Sequence, residues 1–234
     1  MRLLLVFALA INIAACATQQ RPLSATVAAS LKGRQVAMSA RRPTFFDIIT
    51  EPESSAVVSP MALGAVPGAF RAAVEASARS DASARIVREN AIADPAPYIV
   101  RQLSDDLQRR YGLVLAQRAV FITGDDPRQV KAAHPSSDLI LDVRIDDWRL
   151  EPFHRGSSKY RLSYTAHVRL IDAREGVEIA YDTCQPGPQE TRSSPNYDEF
   201  LANYAQRLKA ELEVMARFCI DEFRSKVLTA GQAP

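Results

Sequence analysis

From Lys159 to Ala173 apolar and polar side chains alternate without a break. Tyr160, Leu162, Tyr164, Ala166, Val168 and Leu170 fall on one side, and Arg161, Ser163, Thr165, His167 and Arg169 on the other. A repeat of two belongs to the β-strand, where successive side chains point to opposite faces, so this segment predicts a half-buried strand. A strand with one apolar face needs hydrogen-bonded neighbours, and the flanking sequence supplies them. Asp172-Ala173-Arg174-Glu175-Gly176 reads as a hairpin loop, with Gly176 suited to a positive backbone angle, and Val177–Cys184 as the return strand. Asp138–Leu150 places Leu139, Leu141, Val143 and Ile145 on one face. The three segments predict an antiparallel three-stranded meander, apolar on one side and polar on the other.

The apolar side needs a cover. Between Asn196 and Leu228, Tyr197, Phe200, Leu201, Tyr204, Leu208, Leu212, Met215, Cys219 and Phe223 recur at three- and four-residue steps, the stripe of a long helix or a broken pair. Upstream, Asp94-Pro95 opens a helix with a capping carboxylate and a first-turn proline, and Gly112 closes it. Leu113–Ala116 and Ala119–Thr123 read as two short strands, and Asp125-Asp126-Pro127 starts a second helix that ends before Pro135. Lys32–Arg42 contains a first strand, residues 43–55 a loop, and residues 69–88 an alanine-rich helix broken at Ser80-Asp81-Ala82-Ser83. The expected class is α+β: a mixed sheet ending in the meander and packed on helices, the longest at the carboxyl end. It forms one domain over residues 32–228, followed by a disordered tail at 229–234.

The amino terminus carries a different message. Residues 1–15 hold one charge, Arg2, then an apolar run from Leu3 to Ile11 that is too short to cross a bilayer, for which about 20 residues are needed. A basic start, a short apolar middle and a small-residue end make a secretory signal peptide. Ile13-Ala14-Ala15-Cys16 resembles the bacterial lipobox. That resemblance implies a lipoprotein: diacylglycerol on the Cys16 sulfur, cleavage before Cys16, and an acylated (palmitate-type) new amino terminus. It also implies an inner-leaflet position on the outer membrane, facing the periplasm, because Ala17 is not the aspartate associated with inner-membrane retention. Residues 16–31, rich in Ala, Thr, Gln and Ser, read as a flexible tether.

Export changes the reading of the other cysteines. Cys184 ends a strand and Cys219 lies on the helix stripe, and in an oxidising compartment they are expected to form a disulfide from helix to sheet; two buried thiols are the alternative. The chain has a formal charge of +2, of which Arg2 contributes one, so no strong pull toward nucleic acid or anionic lipid follows.

A search for chemistry returns little. There is no dinucleotide or phosphate-loop pattern, no G-x-S-x-G, H-E-x-x-H or S-x-x-K. His134 adjoins Pro135 at a helix end and His154 lies in a loop. His167 sits mid-strand on the polar side, where a neighbouring strand can bring Asp142, Asp146 or Asp147 opposite it, a cross-strand polar pair before it is a base or a ligand. Arg144, Arg161 and Arg169 give that side mixed charge, as a solvated or protein-contacting surface has. Trp148 and Phe153 are assigned to the hairpin tip, as core caps, with an interaction patch as the alternative. Residues 54–70 are uncharged, with Gly64-x-x-x-Gly68 and Phe70; they read as a buried or flexible apolar loop, the functional alternative being a segment that dips into the nearby membrane or packs against another subunit through Gly64, Gly68 and Phe70.

In element order, residues 35–225 resemble envelope lipoproteins of the TolB amino-terminal type and curli-secretion-type assembly lipoproteins. The resulting expectation is a non-enzymatic accessory, assembly or protein-binding component of the cell envelope. It has no catalytic, cofactor or metal residues and no nucleic-acid partner. It is anchored by lipid and contacts an envelope protein or itself. A small-ligand or lipid-binding module is the alternative, and a metal-dependent hydrolase at His167 comes third.

Overall fold

The structure is a computed structural model and describes residues 20–41, 46–50, 80–122, 126–187 and 190–229. Residues 1–15, expected to be a signal peptide, and Cys16, Gly64, Gly68, Phe70 and residues 230–234 lie outside the described residues. Helix α1 (Ala25–Ala29) is followed by strands β1 (Gln35–Arg41) and β2 (Asp47–Ile48). Helix α2 covers residues 80–89. Then come α3 (Ala96–Tyr111), β3 (Val114–Ile122), α4 (Pro127–Ala133), β4 (Leu139–Pro152), β5 (Tyr160–Asp172), β6 (Val177–Cys184) and α5 (Tyr197–Phe223), which runs into a π-helical turn at Arg224–Leu228.

The strands form one mixed sheet in the order β3-β1-β4-β5-β6, with β2 beside the far half of β4. β4, β5 and β6 are the antiparallel meander. β1 lies parallel to both β3 and β4. Parallel neighbours need long crossovers, and α3 and α4 lie within them. The fold is therefore α+β, as the alternation and the helical stripe predict.

One sheet face is the main core. Leu139, Leu141, Val143, Leu162, Tyr164, Val168 and Leu170 pack with Ile99, Leu103 and Leu107 of α3 and with Leu208, Leu212, Met215 and Phe223 of α5. Each such side chain taken from water contributes roughly 1.5–3 kcal/mol. On the opposite face α4 covers one end only, where Val130 meets Ala37, Ile140 and Ile171. The remainder of that face carries polar side chains.

Local signals fix several boundaries. Asp94 Oδ1 accepts the Ala96 amide at 2.9 Å at the start of α3, and Gly112 ends it at φ 65°. Asp126 caps α4. Asn196 and Glu199 exchange side-chain-to-backbone bonds in a capping box at the start of α5. Cys184 and Cys219 are bonded, their Cα atoms 5.4 Å apart, so α5 is tied to the end of β6.

Other expectations are corrected. Residues 21–31 are not a loose tether: Arg21 pairs with Tyr181 of β6, and Leu23 and Leu31 are fully buried. Two apolar side chains separated by a helical turn are enough to hold a polar segment down. The two strands expected at 113–123 are one strand, β3, whose pairing with β1 shifts register between Val36 and Met38. The loop assigned to 43–55 contains β2. Ser80–Ser83, where a break was expected, is helical and lies in α2, residues 69–79 being outside the described residues; buried Ser83 accepts the Ile48 amide at 3.1 Å. Trp148 is in β4, buried against Phe46, well short of the tip where Phe153 sits under Arg161.

Helix α5 has a feature that periodicity does not announce. Ala202 is extended, and Asn203, Tyr204 and Ala205 adopt φ of 52°, 58° and 54°. This left-handed turn separates Tyr197–Leu201 from the long remainder. Among the described residues no helix is long and apolar enough to cross a membrane.

Candidate functional site

The polar side of the sheet is built by the same alternation that builds the core. Ser39 and Arg41 of β1, Asp142 and Arg144 of β4, His167 and Arg169 of β5, and Thr183 of β6 all project from it. They surround a cleft of about 130 Å³ lined by Arg41, Asp142, Arg144, His167, Arg169 and Thr183.

Asp142 is its deepest member, with a side chain 1% exposed. Ser39 Oγ donates to its Oδ1 at 2.8 Å, while Arg169 Nε and Arg41 Nη2 approach its Oδ2 at 2.7 and 3.1 Å. Burial pushes this carboxyl up to about 6, opposed by the Ser39 hydrogen bond and the charge of Arg144. With two guanidiniums on one oxygen, the geometry holds the carboxylate form. Arg169 also reaches Glu178 at 2.6 Å, so the pair extends to the edge strand.

His167 forms a second group. Its Nε2 lies 2.6 Å from Asp146 Oδ2, and Thr183 Oγ1 lies 2.8 Å from its Nδ1. Burial holds the imidazole below its ordinary value; Asp146 pulls it up and Arg144 pushes it down. The neutral ring that satisfies both neighbours carries its proton on Nε2, donates to Asp146 and accepts from the Thr183 hydroxyl. Asp146 reaches His167 through a bulge: the β4–β5 register shifts between Ile145 and Asp147, which leaves Asp146 as the extra residue. A bulge re-aims the residue it inserts.

Of the three aspartates offered by the sequence, Asp146 is the partner of His167. Asp142 serves the arginines, and Asp147 bonds Arg149 at 2.7 Å. Thr183 was missed, because its place beside His167 follows from the β5–β6 register, which pairs the two residues directly. Hydroxyl, imidazole and carboxylate stand in the order of a proton relay. The Thr183 amide donates to Asp182 Oδ1 at 2.9 Å. Among the described residues no three His, Cys, Asp or Glu side chains gather as a metal site. His134 is at the end of α4, buried, and His154 is exposed in the β4–β5 loop near Glu190, apart from the cleft.

A second concavity lies on the helical side. Asp94, Pro95 and Tyr98 at the start of α3 and Lys209, Leu212 and Glu213 of α5 line a groove of about 260 Å³. Burial raises the Asp94 carboxyl to about 6, although it accepts the Ala96 amide. The space between the sheet and α5, where a ligand pocket was the alternative expectation, is occupied by the packed side chains of the main core.

The disulfide belongs with proteins folded in oxidising compartments. The more particular assignment comes from sequence. The profile of the lipopolysaccharide-assembly family LptE matches residues 90–227, more than half of the chain, and the chain belongs to that family. Its members are outer-membrane lipoproteins of the bacterial envelope, accessory to assembly. This replaces the TolB-type and curli-secretion-type assignment drawn from element order. No curated protein matches the sequence. Among solved structures, the chain is similar to a hypothetical protein from Chlamydia trachomatis at 13% identity, covering 87% of this chain and 99% of that one with a TM-score of 0.37. It is similar to a neuraminyllactose-binding hemagglutinin homologue from Helicobacter pylori at 9% identity, with 86% and 88% covered and a TM-score of 0.36. It is also similar to a lipoprotein from Neisseria meningitidis at 11% identity, with 78% and 99% covered and a TM-score of 0.23.

Proposed function

We propose that this chain is a lipid-anchored, non-enzymatic accessory of lipopolysaccharide assembly. In this reading residues 1–15 are removed, Cys16 carries the acyl chains, and residues 32–228 face the periplasm from the inner leaflet of the outer membrane. The domain holds a protein partner of the assembly machinery against the polar face of its sheet. The observation that carries the reading is the family match over residues 90–227, which contains β4, β5 and β6 whole. The lipobox at Ile13–Cys16 supports the anchor. The polar face supports the partner: it presents alternating charges from Arg144 to Arg161 on a rigid sheet, a surface that recognises a complementary protein more readily than one-signed nucleic acid.

The test is photocrosslinking in living cells with a photoreactive residue in place of Arg161. The expected product is a discrete adduct with an outer-membrane protein of lipopolysaccharide assembly. An adduct only with a second copy of this chain would replace the partner by self-association. The same cells depleted of the protein should lose surface lipopolysaccharide, and unchanged surface lipopolysaccharide would remove the assembly role.

A second reading, binding of a lipid, is favoured by the groove between α3 and α5, whose apolar wall includes Leu212 and whose rim carries Lys209. Lys209→Glu, at the rim, should weaken protection of that groove by purified lipopolysaccharide in hydrogen exchange if the groove is used, and should leave that protection unchanged if it is not.

A further inference from the structure

The bend in α5 places Asn203, Tyr204 and Ala205 in succession in the left-handed region, and none of them is glycine. Each Cβ there crowds the following carbonyl, and such a run persists only where its surroundings hold it. The clamp lies just upstream. Asn196 and Glu199 form the capping box, and the Tyr160 amide donates to Pro195 O at 2.8 Å. The Tyr160 and Tyr197 rings have centroids 5.6 Å apart, and Phe200 is fully buried. Tyr204, inside the bend, is 79% exposed.

A straight α5 would reverse the two aromatics. Phe218 follows Phe200 by 18 residues, about five turns, so the two would share one face. Phe218 is exposed, and so is Val214 one turn before it. Met215 follows Tyr204 by 11 residues, about three turns, and Met215 is buried. Straightening therefore carries Tyr204 onto the buried stripe with Leu208 and Met215, where the three- and four-residue steps of the sequence put it. It carries Phe200 out beside Val214 and Phe218. The connections permit this. Cys219 is bonded to Cys184, and Tyr197 of a straight helix would stand about 33 Å from Cys219. The 13 residues from Cys184 to Tyr197 span about 43 Å when extended. Burial of the Phe200 ring favours the bend; relief of the left-handed residues and burial of the Tyr204 ring favour the straight helix.

We infer that α5 is a two-state helix in which Phe200 and Tyr204 exchange places. In the bent form Phe200 completes the core. In the straight form Phe200 joins Val214 and Phe218 in one outward apolar stripe. The exchange makes the outer surface of α5 conditional on the backbone of three residues, and it depends neither on the lipid anchor nor on the partner proposed above.

The chain has seven tyrosines, so the protein is labelled with 3-fluorotyrosine and the Tyr204 fluorine signal is assigned by its loss in Tyr204→Phe. Two Tyr204 signals in slow exchange are expected: a major one broadened by a soluble paramagnetic agent, and a minor one protected from it. Asn203→Ala replaces a residue that tolerates the left-handed region by a better helix former, and should enlarge the protected signal about tenfold. Asn203→Gly/Ala205→Gly acts the other way, relieving the bend and weakening the straight helix. It should shrink the protected signal about tenfold or more in a domain that stays folded. A single Tyr204 signal, open to the agent in all three proteins, would overturn the exchange. So would a second signal as open as the first, since plain fraying of residues 196–205 leaves Tyr204 in water.

Discussion

Ala205 is buried and sits in the left-handed region at φ 54°, after Asn203 and Tyr204 at 52° and 58°. Asparagine tolerates this region; alanine and tyrosine pay about 1–2 kcal/mol each, because Cβ crowds the following carbonyl. Ala205→Gly removes that crowding and should stabilise the domain by about 1 kcal/mol in urea unfolding, whereas a β-branched residue there should destabilise it. A second residue-scale test concerns Asp94. Its carboxyl is raised from 3.8 to about 6, by burial first. A folded value above the unfolded one means that the fold prefers the neutral acid. Stability from this group is complete below about pH 4 and is lost as pH rises through 6, a difference of at most about 3 kcal/mol. Asp94→Asn keeps an oxygen for the Ala96 amide and removes the charge. Unfolding at pH 7.5 should find the variant more stable than the parent, and at pH 4 the two should coincide. Features of this local kind were legible: Asp94-Pro95, Asp126-Pro127 and Gly112 act within a few residues of themselves. Thr183 beside His167 was not legible, because that contact depends on register between two strands.

The elements divide along the same line. β4, β5 and β6 could be read from alternation and a glycine turn because antiparallel neighbours are adjacent in sequence. The parallel placement of β1 between β3 and β4 could not, since no local signal says which distant strand a crossover returns to. Residues 21–31 look like a linker by composition, and only Leu23 and Leu31 betray their place in the core. The Cys184–Cys219 bond joins an element of the readable half to the helix that covers it and closes a loop of 35 residues. By the loop-entropy relation its loss should cost about 4 kcal/mol. Urea unfolding of the Cys184→Ala/Cys219→Ala variant should show this loss without a change in helix content at low urea. A loss under about 1 kcal/mol would mean that the packing of Leu208, Leu212 and Phe223 alone fixes α5 in both the folded and the unfolded chain.

At the scale of the molecule, the sheet separates two tasks. One face is packed under α3 and α5 and makes the domain stable; the other is charged, is covered among the described residues only in part by α4, and is the face proposed to meet a partner. Within the charged face the two tasks can be pulled apart by mutation, because burial falls along the strands. Asp142 has a side chain 1% exposed and is shared by Arg41 and Arg169. Removing it as Asp142→Ala leaves two guanidiniums in a buried setting without the carboxylate they converge on, and a loss of about 3–5 kcal/mol is expected. Arg149 and Arg161 sit further along, with side chains 39% and 38% exposed, paired to Asp147 and Glu151. Exposed pairs of this kind contribute about 1 kcal/mol or less, so Arg149→Glu/Arg161→Glu should leave the thermal midpoint nearly unchanged. Charge reversal across a contact raises the cost of docking, so the same double variant, with the photoreactive residue at Ser163, should lose the in-cell adduct. A stable double variant that still crosslinks at full yield would move the partner off this face, and the groove between α3 and α5 would be the next surface to probe.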